Sequence, residues 1–304
     1  MPCVKPIQAY QHIDGGALVF GAEPKNHRAL EIACGQCIGC RLTKSRHWAT
    51  RIVHEAQCHE ENVFITLTYN PENLPPDCGL RKKDFQDFMK RLRKAFPNNK
   101  IRYYHCGEYG DNTNRPHYHA ILFGHNFDDW IYLFDSPAGS PIYTSPTLEK
   151  IWNKGFVTIG EVNFESSGYV ARYCMKKING PKKDEINPET GLKPYERFDS
   201  YSGQIVEVLP EYSTMSRRPG IGHNWIATYT RDCYPKDFTT IRGMRCKPPK
   251  YYDKYIESID ADMYDDIKAG RQLQGYESQD NSVSRLDQRR IVKEAQFKQL
   301  KRSL

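Results

Sequence analysis

The sequence predicts an α+β fold: a central antiparallel sheet flanked by helices, with a Cys-rich N-terminal segment ahead of it and a C-terminal extension behind. Three observations predict this. Hydrophobic periodicity between residues 59 and 180 alternates in the order β, α, β, β, β, α; two of those strands flank a polar turn of hairpin type; and Cys34, Cys37 and Cys40 stand just before the first helical pattern. The chain is accordingly divided into 1–58, a Cys-rich segment and helix; 59–180, the core; and 181–304, an extension of unassigned role.

Residues 1–33 are Gly-interrupted and read as irregular, and a helix is expected from Leu42 to Cys58. Val63 to Tyr69 is β-branched and aromatic and is stopped by Asn70-Pro71, the signature of a strand. From Lys82 to Ala95, Phe85, Phe88, Met89 and Leu92 recur at i, i+3, i+4 and i+7, which predicts a helix with one buried face and its basic residues outward. Lys100–Glu108 and His117–Gly124 are expected to pair antiparallel across the Gly- and Asn-rich loop between them. A variable stretch follows at 126–147, then a short helix near Leu148–Trp152 and a strand over Phe156–Asn163. A helix over Ser166–Ile178 comes next, with Ser166 or Ser167 as its N-cap. Gly180 to Gly203 reads as a loop, Phe238 to Lys250 as paired or extended chain, and Arg285 to Lys301 as a charged tail helix.

Composition excludes some classes. No stretch approaches the roughly 18 apolar residues that a membrane-spanning helix needs. Met1 to Tyr10 contains Pro2, Lys5 and Pro6 and lacks the apolar block of a signal peptide, so the cysteines are expected in a reducing compartment, free or metal-bound. The formal charge of +7 suits a polyanionic partner, and it is unevenly spread. Arg81 to Lys94 is strongly basic, whereas Glu257, Asp260, Asp262, Asp265 and Asp266 gather acid late in the chain.

Two constellations carry chemistry. His117 and His119 lie two apart on a strand, so their imidazoles share a face and can share a metal ion; Ile121 and Phe123 continue that face into the core. Glu108 ends the preceding strand and brings a carboxylate beside them, a mixed N/O set suited to Mg²⁺ or Mn²⁺. On a helix, Tyr169 and Tyr173 are one turn apart on one face, with Lys176 following on the same side. A phenol has a pKa near 10, so it needs a cation or a polarised target before its oxygen attacks phosphorus, and Lys176 is the candidate cation. The competing reading is half-buried histidines and an aromatic stripe that merely pack. Separately, Cys34, Cys37 and Cys40, followed by Arg41, Lys44, Arg46 and Arg51, suit a structural Zn²⁺ beside a basic helix. Cys3 is the first choice for a fourth ligand, with His47 and Cys58 as alternatives; Cys78, Cys106, Cys174, Cys233 and Cys246 read as ordinary thiols.

Taken together, Phe64 to Thr68, Cys106 to Gly110, Arg115 to Phe123 and Tyr169 to Lys176 resemble the replication initiators of the gokushovirus branch of Microviridae, within the HUH endonuclease superfamily. The resemblance covers roughly 60–180. Its one departure is aromatic Tyr118 between the two histidines, which points to the other face of the strand. The resemblance implies an RRM-like antiparallel sheet carrying a metal-dependent, two-tyrosine enzyme that nicks single-stranded origin DNA. The product is a 5′-phosphotyrosine link and a free 3′-hydroxyl, and the strand is later rejoined. It also implies rolling-circle replication in the host bacterial cytoplasm, with a host polymerase as partner. A helicase is expected from the host as well, because the chain has no Gly-Lys-Ser/Thr nucleotide loop.

The sheet is expected to be exposed, so that its aromatic and basic residues stack bases and track phosphates. Lys82, Lys83, Lys90 and Arg93 are candidate DNA contacts, and neutralising two of them is expected to flatten the salt dependence of binding. Two other readings compete: a non-catalytic zinc-containing nucleic-acid-binding protein, and a metal-dependent phosphodiesterase that uses water.

Overall fold

The computed structural model describes residues 3–110, 113–137, 139–173, 176–178, 180–277 and 282–299. In chain order the elements are β1 (Ile7–His12), β2 (Leu18–Val19), β3 (His27–Ile32), α1 (Ile38–Ala56), β4 (Asn62–Thr68), α2 (Lys82–Ala95), β5 (Arg102–Tyr109) and β6 (Pro116–Phe123). Then follow β7 (Ile131–Asp135), β8 (Pro141–Thr144), α3 (Pro146–Trp152), β9 (Val157–Gly160), α4 (Phe164–Tyr173), β10 (Glu196–Phe198), β11 (Ile205–Glu207) and β12 (Tyr212–Met215). The last are α5 (His223–Thr228), α6 (Thr230–Cys233), β13 (Thr239–Ile241), β14 (Met244–Cys246), α7 (Lys250–Ile259), α8 (Ala261–Glu277) and α9 (Val283–Gln299).

The chain forms two compact units, one from 1–44 with 261–300 and the other centred on 45–260. In the first, β2, β1 and β3 form a three-stranded antiparallel sheet, so the stretch from 7 to 32 is not the irregular chain its glycines suggest. The strands are poorly amphipathic: of β1 only Ala9 and Tyr10 are buried, which is why alternation does not betray them.

The second unit is built on a seven-stranded sheet of order β12-β5-β6-β4-β9-β8-β7, all of whose pairs are antiparallel. Strict alternation sorts its residues to two faces. Val63, Ile65, Leu67, Tyr118, Ala120 and Leu122 face one layer, where they pack on Phe85, Phe88, Met89 and Leu92 of α2 and on Leu148, Ile151 and Trp152 of α3. Each such buried large side chain contributes about 1.5–3 kcal/mol relative to exposure. Phe64, Tyr104, Cys106, Ile121 and Phe123 face the other layer, against Ala49 and Ile52 of α1 and Val170, Ala171 and Tyr173 of α4. The centre of the sheet is thus covered on both sides, which corrects the expectation of an open platform for bases: its apolar residues on both faces demand cover from water.

Several elements differ from expectation for local reasons. The stretch at 126–147 contains the β7–β8 hairpin, and β12 is recruited from beyond residue 203 to the sheet edge beside β5. Gly155 lets the chain entering β9 pass the end of β4, since a Cβ there would lie 2.2 Å from the Asn70 nitrogen. α4 begins two residues ahead of Ser166, because Asn163 caps it: the Ser166 N–H donates to Asn163 Oδ1 at 2.8 Å and the Asn163 N–H to Ser166 Oγ at 2.9 Å. The helix ends at Tyr173, and the part of the expected helix at Cys174 and Met175 lies outside the described residues. β13 and β14 pair as a hairpin, as the 238–250 stretch suggests.

Candidate active site and cysteine cluster

β6 sits between β5 and β4, and its register sets the site. Thr68, His117 and Glu108 form one cross-strand row; Thr66, His119 and Cys106 form the next. All six point to the α4 side, because they share parity along their strands. Each imidazole meets the hydroxyl directly opposite: His117 Nδ1 lies 3.0 Å from Thr68 Oγ1, and His119 Nδ1 lies 2.9 Å from Thr66 Oγ1. These threonines were not singled out in the sequence, although their alternation with Phe64 along β4 is the available signal. Tyr118 points to the opposite layer, as its parity requires, and hydrogen-bonds Tyr69 and Arg81 there.

Glu108 is opposite His117 but reaches diagonally, accepting from His119 Nε2 at 2.9 Å on Oε1 and from Lys176 Nζ at 2.6 Å on Oε2. Only Nε2–H can donate to a carboxylate, so in this arrangement His119 Nδ1 is free to accept from Thr66. Burial works against the Glu108 charge, but the hydrogen bond from His119 and the hydrogen bond and charge of Lys176 outweigh it and hold the carboxyl below its usual range. Burial, aided by neighbouring His119, brings His117 down to about 4, which keeps it neutral. Gly110 faces this ring: a Cβ there would sit 3.0 Å from His117 Nε2, so the glycine leaves that nitrogen room.

α4 lays its tyrosines over the histidines. The Tyr173 ring stacks on His119 with centroids 4.7 Å apart and planes 5° from parallel. Tyr169 meets His119 edge-on at 5.4 Å and Tyr173 edge-on at 4.8 Å. Lys176 Nζ lies 4.9 Å from the Tyr173 ring centre, and the Arg172 guanidinium lies 5.9 Å from that of Tyr169. Burial raises both phenols above their ordinary pKa. The structure therefore brings together His119, Glu108, Tyr169, Tyr173 and Lys176, with Arg172 as a cation the sequence reading left aside; His117 shares their face with its ring 6.4 Å from that of His119, and its nitrogens do not close with His119 and Glu108 into a ready set of metal ligands.

The proposed DNA contacts lie elsewhere. α2 packs on the face opposite the histidines; Lys83 and Lys90 pair with Asp87 at 2.8 and 3.2 Å, Lys82 lies over the Tyr212 ring, and Arg93 donates to the Ile101 carbonyl.

In the first unit, Cys3, Cys34, Cys37 and Cys40 place their sulfurs within 4.8 Å of one another, which among the described residues is the one such group of possible metal ligands. Pairing of β1 with β3 explains it: Cys3 precedes one strand and Cys34 follows the other, where the chain turns into α1 with Cys37 and Cys40. Cys3 Sγ is 3.6 Å from Cys34 Sγ and 3.7 Å from Cys37 Sγ. Burial pushes Cys37 up, but N–H donors from Val4 and Cys40 and the adjacent thiols bring it down to about 6, the thiolate form a metal requires. Cys58 and His47 stand outside the group. Of the other cysteines, Cys106 and Cys233 are buried and Cys78 and Cys246 half-buried, while Cys174 lies outside the described residues. Four sulfurs so arranged can bind a metal such as zinc.

A histidine pair, a carboxylate and two phenols thus lie on one face of an antiparallel sheet. Residues 62–178 match the family described as replication-associated protein ORF2/G2P. The chain is 30% identical to replication-associated protein VP4 of Bdellovibrio phage phiMH2K over 84% of its own length and 78% of that protein's. It is 32% identical to replication-associated protein ORF2 of Spiroplasma virus 4, over 84% of this chain and 81% of that one. It is also 33% identical to replication-associated protein ORF4 of Chlamydia phage 1, over 49% of this chain and 39% of that one. No solved structure matches. The chain belongs to the replication-associated proteins of microvirus phages, the VP4/ORF2 family. Among the described residues no helix is long and apolar enough to cross a membrane.

Proposed function

We propose that the chain initiates rolling-circle replication by nicking single-stranded origin DNA with a tyrosine and later rejoining the strand. The single observation that carries this reading is the stack of Tyr173 on His119, with Tyr169 at its edge and Glu108 and Lys176 alongside. In the first transfer a phenol oxygen bonds to phosphorus, the P–O3′ bond breaks, and the phenolic proton is balanced by that of the released 3′-hydroxyl. The phosphotyrosine ester conserves the bond for rejoining. Lys176 and Arg172 offset negative charge near the phenols and phosphate.

The donor set of His117, His119 and Glu108 suits Mg²⁺ or Mn²⁺, and Gly110 leaves room at His117 Nε2. Such an ion, when bound, would polarise the scissile phosphate. To serve as a ligand, His119 must carry its proton on Nδ1, and the Thr66 hydroxyl accepts as readily as it donates, so it supports either tautomer. A structural Zn²⁺ on Cys3, Cys34, Cys37 and Cys40 would tie the β1–β3 sheet to the start of α1. We assign the nicking core to 59–180 and the zinc segment to 1–58; 181–304 lends β12 to the sheet and is given no role of its own. A host polymerase extends the 3′-end and a host helicase opens the duplex, in the bacterial cytoplasm.

The test is incubation of the full chain with Mn²⁺ and single-stranded oligonucleotides tiling the genome that encodes it. A covalent adduct that survives denaturation is expected. Cut DNA without an adduct would assign the site to a hydrolytic phosphodiesterase, and bound but intact DNA to a non-catalytic zinc-containing binding protein. Native mass spectrometry should find one zinc, lost when Cys34 and Cys37 are changed to Ser.

A further inference from the structure

The two tyrosines occupy unequal positions. Tyr173 is only 6% exposed, closed in by the parallel His119 ring on one side, the Tyr169 edge on another and the Lys176 ammonium 4.9 Å from its centre. Tyr169, one turn earlier on α4, is half-buried: it meets His119, Phe64 and Tyr173 edge-on, with centroids 5.4, 6.2 and 4.8 Å away, and its hydroxyl accepts a hydrogen bond from that of Tyr173. A phosphodiester flanked by nucleotides is too bulky to enter a packed interior, so its phosphorus first meets the less buried of the two rings, Tyr169. The cations are divided as well. Lys176 is engaged by Glu108 at 2.6 Å, whereas the Arg172 guanidinium stands 5.9 Å from the Tyr169 ring.

Building on the tyrosine-transfer reading above, we propose that Tyr169 makes the first cut and that Tyr173 is held back for the second transfer. In the first step the Tyr169 oxygen bonds to phosphorus, the P–O3′ bond breaks, and a 3′-hydroxyl leaves with one proton for the one the phenol gives up. In the second, Tyr173 takes the next phosphodiester in the same way. The 3′-hydroxyl it releases attacks the ester on Tyr169, which recovers its phenol. Esterification of Tyr169 attaches a bulky DNA end where its ring edge now meets Tyr173, which opens the neighbouring phenol for the later step.

The experiment uses the full chain in excess over the same tiling oligonucleotides with Mn²⁺, so that each DNA is cut once. Trypsin then separates the tyrosines, because it cleaves after Arg172. The nucleotide should be found on the peptide that ends at Arg172, in at least about tenfold excess over the peptide that begins at Tyr173. An even split, or modification mainly of Tyr173, would overturn the order. Complete absence of a covalent adduct is a different result, and it overturns the tyrosine-transfer reading instead. A single variant extends the test: Tyr169→Phe should slow the first cut by about a hundredfold or more, and a first cut left unchanged in that variant would overturn the order.

Discussion

The two faces of the central sheet are made from the same strands and carry similar residue types, yet they do opposite things with their polar atoms. On the α2 side, Tyr118 bonds to Tyr69 at 2.8 Å and to the Arg81 backbone N–H and carbonyl at 2.8 and 3.0 Å; Tyr69 in turn donates to Asp84. Every polar atom of that group has a fixed partner inside an apolar layer, and burial pushes the Tyr118 phenol up to about 12. On the α4 side, neighbouring His119 and the residues around it are anchored at their inner ends by Thr66 and Thr68, while ring nitrogens, a carboxylate and a half-buried phenol gather beneath one short helix. One residue's shift in parity thus separates a group that stabilises from a group able to react.

That contrast can be broken from either side. The largest effect is expected at His119: His119→Gln should lower adduct formation by about 10²–10⁴-fold in a quenched time course, with melting temperature little changed. Tyr118→Phe should do the reverse. It should cost about 1–3 kcal/mol in urea unfolding, because Tyr69 and Arg81 lose a buried partner, and leave the rate of adduct formation intact. If the Tyr118 variant lost activity without losing stability, the division between the faces would be wrong.

Acid should reveal the same division. His117 is held neutral at about 4, below its ordinary 6.5, so the unfolded chain binds more protons between those values. Its contribution is complete above pH 6.5 and is lost as pH falls to about 4. Glu108, lowered from 4.5, contributes above that value and loses its contribution as pH drops through its folded pKa. His117→Gln should therefore remove about one proton of uptake on unfolding between these limits, read from the pH dependence of urea midpoints. Gly110→Ala is a smaller perturbation, crowding His117 Nε2, and should slow the first cut about tenfold with little change in DNA affinity. The smallest effect is expected from Lys83→Gln with Lys90→Gln, since both pair with Asp87 on the α2 side. A salt slope of binding reduced by about one per lysine would instead bring α2 into the DNA footprint.

What could be read in the sequence follows from how local each signal is. The β5–β6 pairing, the parity of His117, His119 and Tyr118, the buried stripe of α2 and the spacing of Tyr169 and Tyr173 are all set within a few residues, and the structure places them as periodicity demands. Cys3 joins the other three thiols, as expected, while the β1–β3 sheet beside it leaves no periodic signal, because β2 and β3 bury no residue fully and β1 only Ala9 and Tyr10. β12 joins the sheet across about a hundred residues, and four residues of Tyr-Ser-Thr-Met hold no alternation to announce it. The cover over the histidine face was likewise invisible, since it depends on how α1 and α4 return to the sheet. Thr66 and Thr68 gained their meaning only once register set each opposite a histidine.

The most direct measurement compares Tyr169→Phe/Tyr173→Phe with Tyr118→Phe on one denaturing gel, each incubated with Mn²⁺ and labelled single-stranded DNA cut by the unaltered chain. Loss of the covalent band from the first and its persistence in the second is the predicted result. A band that survives removal of both α4 phenols would contradict the assignment of the reaction to that face.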